Sequence, residues 1–208
     1  MEAFPDDIYT EREADPDTLA NLGPLRAMAG VWQSAAGADV HPAAGGDEQQ
    51  VYVERYELQP IDPQSNGPQL FYGLRYHIHI VKPGEVETFH DQVGYWLWEP
   101  AAEAVTFTLT IPRAQVALLG GRATSGATSF EVVATRGDTA YGICSGPFLE
   151  DAFRTVEVRV KVVTHVDGTW TYDEDTVMQV RGRADLVHHT DRNTLTLIEK
   201  PTPNPLVR

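Results

Sequence analysis

The stretch "AVTFTLTI" (residues 104–111) decides the fold class. Val105, Phe107, Leu109 and Ile111 fall on one side of an extended chain, and Thr106, Thr108 and Thr110 on the other. That is the period-two pattern of a strand with one buried face. Residues 156–166 repeat it, with Val156, Val158, Val160, Val162 and Val166 opposing Glu157, Arg159, Lys161 and His165.

Working outward, similar runs occupy most of the chain beyond Gly30. They are "VWQS" (31–34), "VYVERYEL" (51–58), "LFYGLRYHIHIV" (70–81), "QVGYWLW" (92–98), "QVALLGG" (115–121), "TSFEVVATR" (128–136), "TWTYDEDTVMQVRG" (169–182) and "NTLTLIE" (193–199). Turn-forming segments such as "KPGE", "RGDT" and "VDGT" separate them. About ten strands result, with connections too short for parallel crossovers, so the sheet should be antiparallel. A meander of this size removes its edges by closing, which predicts an all-β, up-and-down barrel. Residues 1–29 read as a helical cap, broken at Gly23-Pro24, with an Asp cap and Asp17 in the first turn. Residues 30–199 form the barrel, 35–49 a long flexible loop and 201–208 a proline-studded tail. Neither an internal repeat nor a linker divides the single domain.

Composition narrows the function. The chain has 208 residues, a length at which a domain buries about 70% of its unfolded surface without needing disulfides. Its one cysteine, Cys144, fits a reducing compartment. The start "MEAFPDD" has no basic or apolar signal region, and no run is long and apolar enough to span a bilayer. A cytoplasmic protein without a membrane partner is expected. The net charge of −14, from 30 acidic against 16 basic residues, repels phosphate backbones, so no nucleic-acid partner is expected either.

Seven histidines remain to be placed. His165 reads as solvated and His41 as part of the flexible loop. In "LFYGLRYHIHIVKPGEVETFH", a turn at Pro83-Gly84 sets His77 or His79 opposite His90, depending on loop width. Either register groups three imidazoles, with Arg75 in the same row. The opposite row, Leu70 to Ile80, is equally suited to line a barrel. Should the histidines face inward, the apolar row needs a cover, from a homodimer partner or the N-terminal helices. Should they face outward, they are ordinary surface residues. His188 and His189 enter the last strand. His189 has the parity of Asp191, Asn193, Leu195 and Leu197, which turns it toward the interior near the barrel mouth. Read from the residues alone, it is first a hydrogen-bonded histidine at a strand entrance and second a ligand.

Three stretches resemble the nitrobindin family, heme-binding β-barrels related in shape to fatty-acid-binding proteins and lipocalins. They are "LGPLRAMAGVWQSAAG", with Gly30-Val31-Trp32; "FHDQVGYWLWEP", with His90, Gly94, Tyr95 and Trp96; and the histidine entering the last strand. The resemblance implies a ten-stranded barrel holding ferric b-type heme, with NO binding and isomerisation of peroxynitrite to nitrate as its chemistry. By position it implies His189 as axial iron ligand, with His188 as the substitute. It also implies His90, with His77 or His79, lining the interior, and Trp32 packing at the barrel floor. Asp191 could orient the imidazole.

Two other readings compete. A heme-free barrel could carry a small apolar or fatty-acid-like molecule, its carboxylate paired with Arg75. Alternatively, His77-x-His79 with Glu85 or Glu87 is similar to the first metal motif of cupins, although no matching second motif follows.

Overall fold

The computed structural model describes residues 6–208. The first five residues of the expected 1–29 cap therefore lie outside the described part. From the N-terminus, α1 (Thr18–Asn21) and a 3-10 helix (Gly23–Met28) lead into β1 (Gly30–Ala43) and β2 (Gly46–Pro60). Next come β3 (Gln64–Asn66), β4 (Gln69–Val81), β5 (Thr88–Glu99), β6 (Ala104–Ile111), β7 (Gln115–Arg122) and β8 (Ser129–Thr135). The chain continues through β9 (Ile143–Ser145), α2 (Pro147–Ala152), β10 (Phe153–Thr164), β11 (Trp170–Val180) and β12 (Val187–Glu199).

Every neighbouring pair is antiparallel, and β2 bonds to β4 at one side while β1 bonds to β12 at the other, so the sheet closes on itself. Ten strands form the barrel; β3 and β9 are short additions on β4 and β7. The alternation of residues 104–111 and of Val158, Val160 and Val162 holds, with these valines, Val105, Phe107 and Leu109 buried. A bulge between Thr155 and Glu157 displaces Val156 from that row, and Val166 projects from the β10–β11 turn, fully exposed.

One end of the barrel is filled. Leu22, Leu25 and Met28 are wholly buried there, and each such side chain contributes about 1.5–3 kcal/mol of burial. Trp32 donates its indole N–H to the Met28 carbonyl at 2.7 Å and packs edge-on against Trp170. Gly23, at φ +53°, lies against the Trp98 indole, where a Cβ would come within 2.5 Å of the ring nitrogen. Only glycine fits there; the α-helix ends at Asn21 and Gly23-Pro24 opens the 3-10 helix that follows. Asp17 is itself the cap of α1, accepting from the Ala20 N–H.

Two expectations are corrected, and the tail finds its place. Residues 35–49 form no flexible loop: β1 and β2 run through them as a long hairpin turning at Ala44-Gly45. Alanine- and glycine-rich strands carry weak β-propensity but pair through their backbones all the same. The 201–208 tail is docked, because Asn204 is completely buried and bonds the Pro16 carbonyl, the Thr18 N–H and the Asp62 carboxylate. The β4–β5 register puts Ile80, and neither His77 nor His79, opposite His90. A bulge after Ile80 causes the difference, and it turns His90 to the same side as the buried Ile78 and Ile80.

Candidate functional site

The end of the barrel opposite the helical plug is hollow. A cavity of about 630 Å³ opens there, with Ile78, Ile80, Trp96, Phe107, Val160 and Trp170 among its apolar walls. Phe148 and Leu149 of α2 form part of its rim. Its size falls within the roughly 300–1,000 Å³ of small-molecule and cofactor sites.

β12 runs unbroken back to Val187, so the parity argument for His189 applies. His189 faces the cavity and His188 faces outward, 2.8 Å from Asp175 on the outer surface. His188 is therefore no substitute ligand. His90 also lines the cavity. His77, His79 and Arg75 point outward: His77 lies 2.9 Å from Asp91 and His79 lies 3.1 Å from Thr88. The physical reason is the other row of β4, since Tyr72, Leu74, Tyr76, Ile78 and Ile80 are all buried inside the barrel. Hence Arg75 cannot meet a ligand carboxylate in the cavity, and the three imidazoles do not share a face. The cupin-like grouping with Glu85 or Glu87 is not assembled either, because both glutamates sit exposed in the β4–β5 turn. Trp32 belongs to the floor and does not touch the cavity.

Around His189 the two outermost strands of the sequence meet. Asp39 of β1 stands directly opposite Asp191 of β12, and Asp191 in turn stands opposite Glu174 of β11. One step along, the rings of His41 and His189 have centroids 6.2 Å apart. Nε2 of His189 lies 2.6 Å from Oδ1 of Asp39 and 3.5 Å from Oδ2 of Asp191, while Nδ1 of His41 bonds the other oxygen of Asp39. Burial opposes ionisation of Asp39, but the two histidine hydrogen bonds outweigh it and hold its carboxyl below the usual range. For His189, burial likewise opposes the charged form, and the Asp39 hydrogen bond with the surrounding carboxylates overcomes it, raising the imidazole. Burial and the adjacent Glu174 push Asp191 well up. His90 is moved the other way, kept neutral chiefly by burial.

Behind this cluster lies a second polar group. Glu54 is completely buried, accepting from Tyr172 at 2.8 Å and from Asn193 at 2.5 Å. The Tyr172 and Tyr52 hydroxyls are 2.8 Å apart and both side chains line the cavity. Burial pushes the Glu54 carboxyl up to about 7. Its second oxygen and the Asn193 oxygen have no partner among the described residues.

Asp39, Glu174 and Glu54 were not singled out in the sequence, and His41 was read only as part of a flexible loop. Their signal was discontinuous: Asp39-Val40-His41 mirrors His189-Thr190-Asp191, and only antiparallel pairing of β1 with β12 reveals it.

A closed antiparallel barrel with a hollow, largely apolar end and a histidine at its mouth is a small-ligand-binding barrel. More specifically, the chain belongs to the family of THAP4-like, heme-binding β-barrel domains, the nitrobindins, whose profile matches residues 21–196. Among solved structures it is similar to Rv2717c from M. tuberculosis, with a TM-score of 0.54 and 18% identity over 89% of this chain and 98% of that one. No curated protein is similar enough in sequence to count as a relative. Among the described residues, no helix is long and apolar enough to cross a membrane.

Proposed function

We propose that the barrel binds ferric heme b through His189 and acts on NO or peroxynitrite, in the latter case isomerising it to nitrate. Membership of a heme-binding family supports the cofactor. The observation that carries the assignment is the state of His189: a carboxylate holds one ring nitrogen, and Nδ1 has no hydrogen-bond partner among the described residues. Iron-ligating imidazoles are commonly anchored in this way, with a carboxylate on the nitrogen that does not bind the metal. The donor set at the cavity therefore fits the group.

When bound, the heme supplies a ferric centre for a small diatomic or oxyanion ligand. The chain's own residues do the rest. Asp39 fixes the His189 ring and keeps a proton on Nε2, so that the other nitrogen carries a lone pair. Ile78, Ile80, Phe107 and Leu109 keep bulk water from the chamber. His90, neutral and 3.4 Å from Gln92, offers a hydrogen bond from another wall, and Arg113 at the rim favours anionic ligands.

Titration with hemin, followed by its Soret band, tests the proposal. One heme per chain is expected, with uptake lost in His189→Ala while the circular dichroism of the barrel is kept. Stoichiometric uptake by that variant would overturn the assignment.

A further inference from the structure

We propose that the barrel mouth also forms a porphyrin-independent site for one divalent first-row transition-metal ion, with Asp39, His41, His189 and Asp191 as ligands. This goes beyond the heme reading and does not rest on it, although both use His189.

The topology makes the site. Asp39-Val40-His41 and His189-Thr190-Asp191 lie antiparallel with Asp39 paired to Asp191. Alternate residues of a strand share a face, so all four side chains point to the inner surface of the mouth. Asp39, His189 and Asp191 each offer a ligand atom, and these atoms lie within 4.8 Å of one another. Two ligands of a tetrahedral ion with bonds near 2.0–2.1 Å stand roughly 3.4 Å apart. The 3.5 Å from His189 Nε2 to Asp191 Oδ2 already matches, and the 2.6 Å to Asp39 needs a sub-ångström opening. His41, bonded to Asp39 and beside the His189 ring, is the fourth ligand of the proposal and reaches the ion by turning its ring away from Asp39.

Donor chemistry and charge agree. Two imidazoles with two carboxylates suit Zn, Fe, Co or Mn, and no thiolate takes part. Asp39 and Asp191 face each other directly, and Glu174 stands opposite Asp191, so three carboxyl groups crowd one corner of the barrel. Strands disfavour like charges placed opposite one another, and a bound dication lets carboxyl groups this close be ionised together.

Cobalt(II) is the probe, because its visible bands report a protein-bound, low-coordinate ion. Chelator-stripped full-length protein should take up one Co(II) per chain. His41→Ala and Asp191→Asn should each weaken uptake at least about 100-fold, more than loss of an outer partner costs. The outer-face pair His77→Ala/His79→Ala should bind as wild type. Hemin titration of the same variants reports that the barrel is folded, since neither His41 nor Asp191 is needed to hold heme. Absence of saturable Co(II), or undiminished uptake by the folded His41 and Asp191 variants, overturns the site. Should His41→Ala fail to fold, His41→Gln replaces it, since a neutral amide can keep the hydrogen bond to Asp39 and ligates the ion poorly; undiminished Co(II) uptake by that variant refutes the proposal. Hemin uptake without Co(II) leaves the heme reading standing alone, and Co(II) uptake without hemin does the reverse.

Discussion

The Asp39 carboxylate reaches across from the first barrel strand to the last and meets Nε2 of His189 at 2.6 Å. The pair has a defined pH window. The raised imidazole contributes stability that is present below about 6.5, its unfolded value, and is lost as pH rises through the folded value. The lowered carboxyl contributes stability that is present above about 3.9 and is lost as pH falls. Asp39→Asn should therefore cost about 1.5–3 kcal/mol near pH 5.5, and less at pH 8.5. Urea midpoints at the two pH values check this; an equal loss at both would show that the charge on His189 is not involved.

Glu54 runs the opposite way. Its carboxyl is raised to about 7, so the native state keeps a proton that the unfolded chain has released. Stability should fall as pH rises from about 4.5 to 7, by roughly 3 kcal/mol in all, and then level off. Glu54→Gln keeps an acceptor for Tyr172 and Asn193 and removes the titration. Its denaturation midpoint should stay flat over that range; a wild-type slope in the variant would assign the effect elsewhere.

Gly94 lies in β5 where a Cβ would come 2.0 Å from the Thr108 carbonyl oxygen of β6. Backbone cannot yield as a flexible side chain would, so Gly94→Ala should cost at least about 2 kcal/mol by prising β5 from β6. Thermal unfolding measures it, and a loss under about 0.5 kcal/mol would show that the strands separate freely there.

The outer-face row makes a negative test. His77, His79 and Arg75 point away from the cavity, and surface substitutions of this kind stay within about 0.5 kcal/mol. Replacing all three by alanine should leave both stability and hemin stoichiometry unchanged. Loss of hemin uptake in that variant would place the ligand chamber on the wrong side of β4.

The architecture was legible in the sequence wherever apolar and polar residues alternated clearly, as at 104–111 and 158–162. It was illegible in β4, where tyrosine, histidine and arginine are all compatible with either face, and where the bulge after Ile80 reverses the parity that a simple turn would impose. The parity of His189 was readable because the apolar pair Leu195 and Leu197 marked the inner face, and Leu195 is indeed wholly buried although Leu197 is not. Its partners were hidden in 35–49, a composition that reads as loop and folds as strand. Asp39 and His41 become visible only once β1 is known to lie beside β12.

That adjacency sets an order of events during synthesis. His189 and Asp191 come from β12, the last strand of the barrel, and Asp39 and His41 from β1, the first, some 150 positions earlier. A contact of such sequence separation forms late, because its loop-closure entropy must be overcome before pairing rewards it. No chain that stops short of β12 can assemble the pair, so ligand capture would mark completion of the ring, and a chain arrested before β12 would remain empty however well its other nine strands were made.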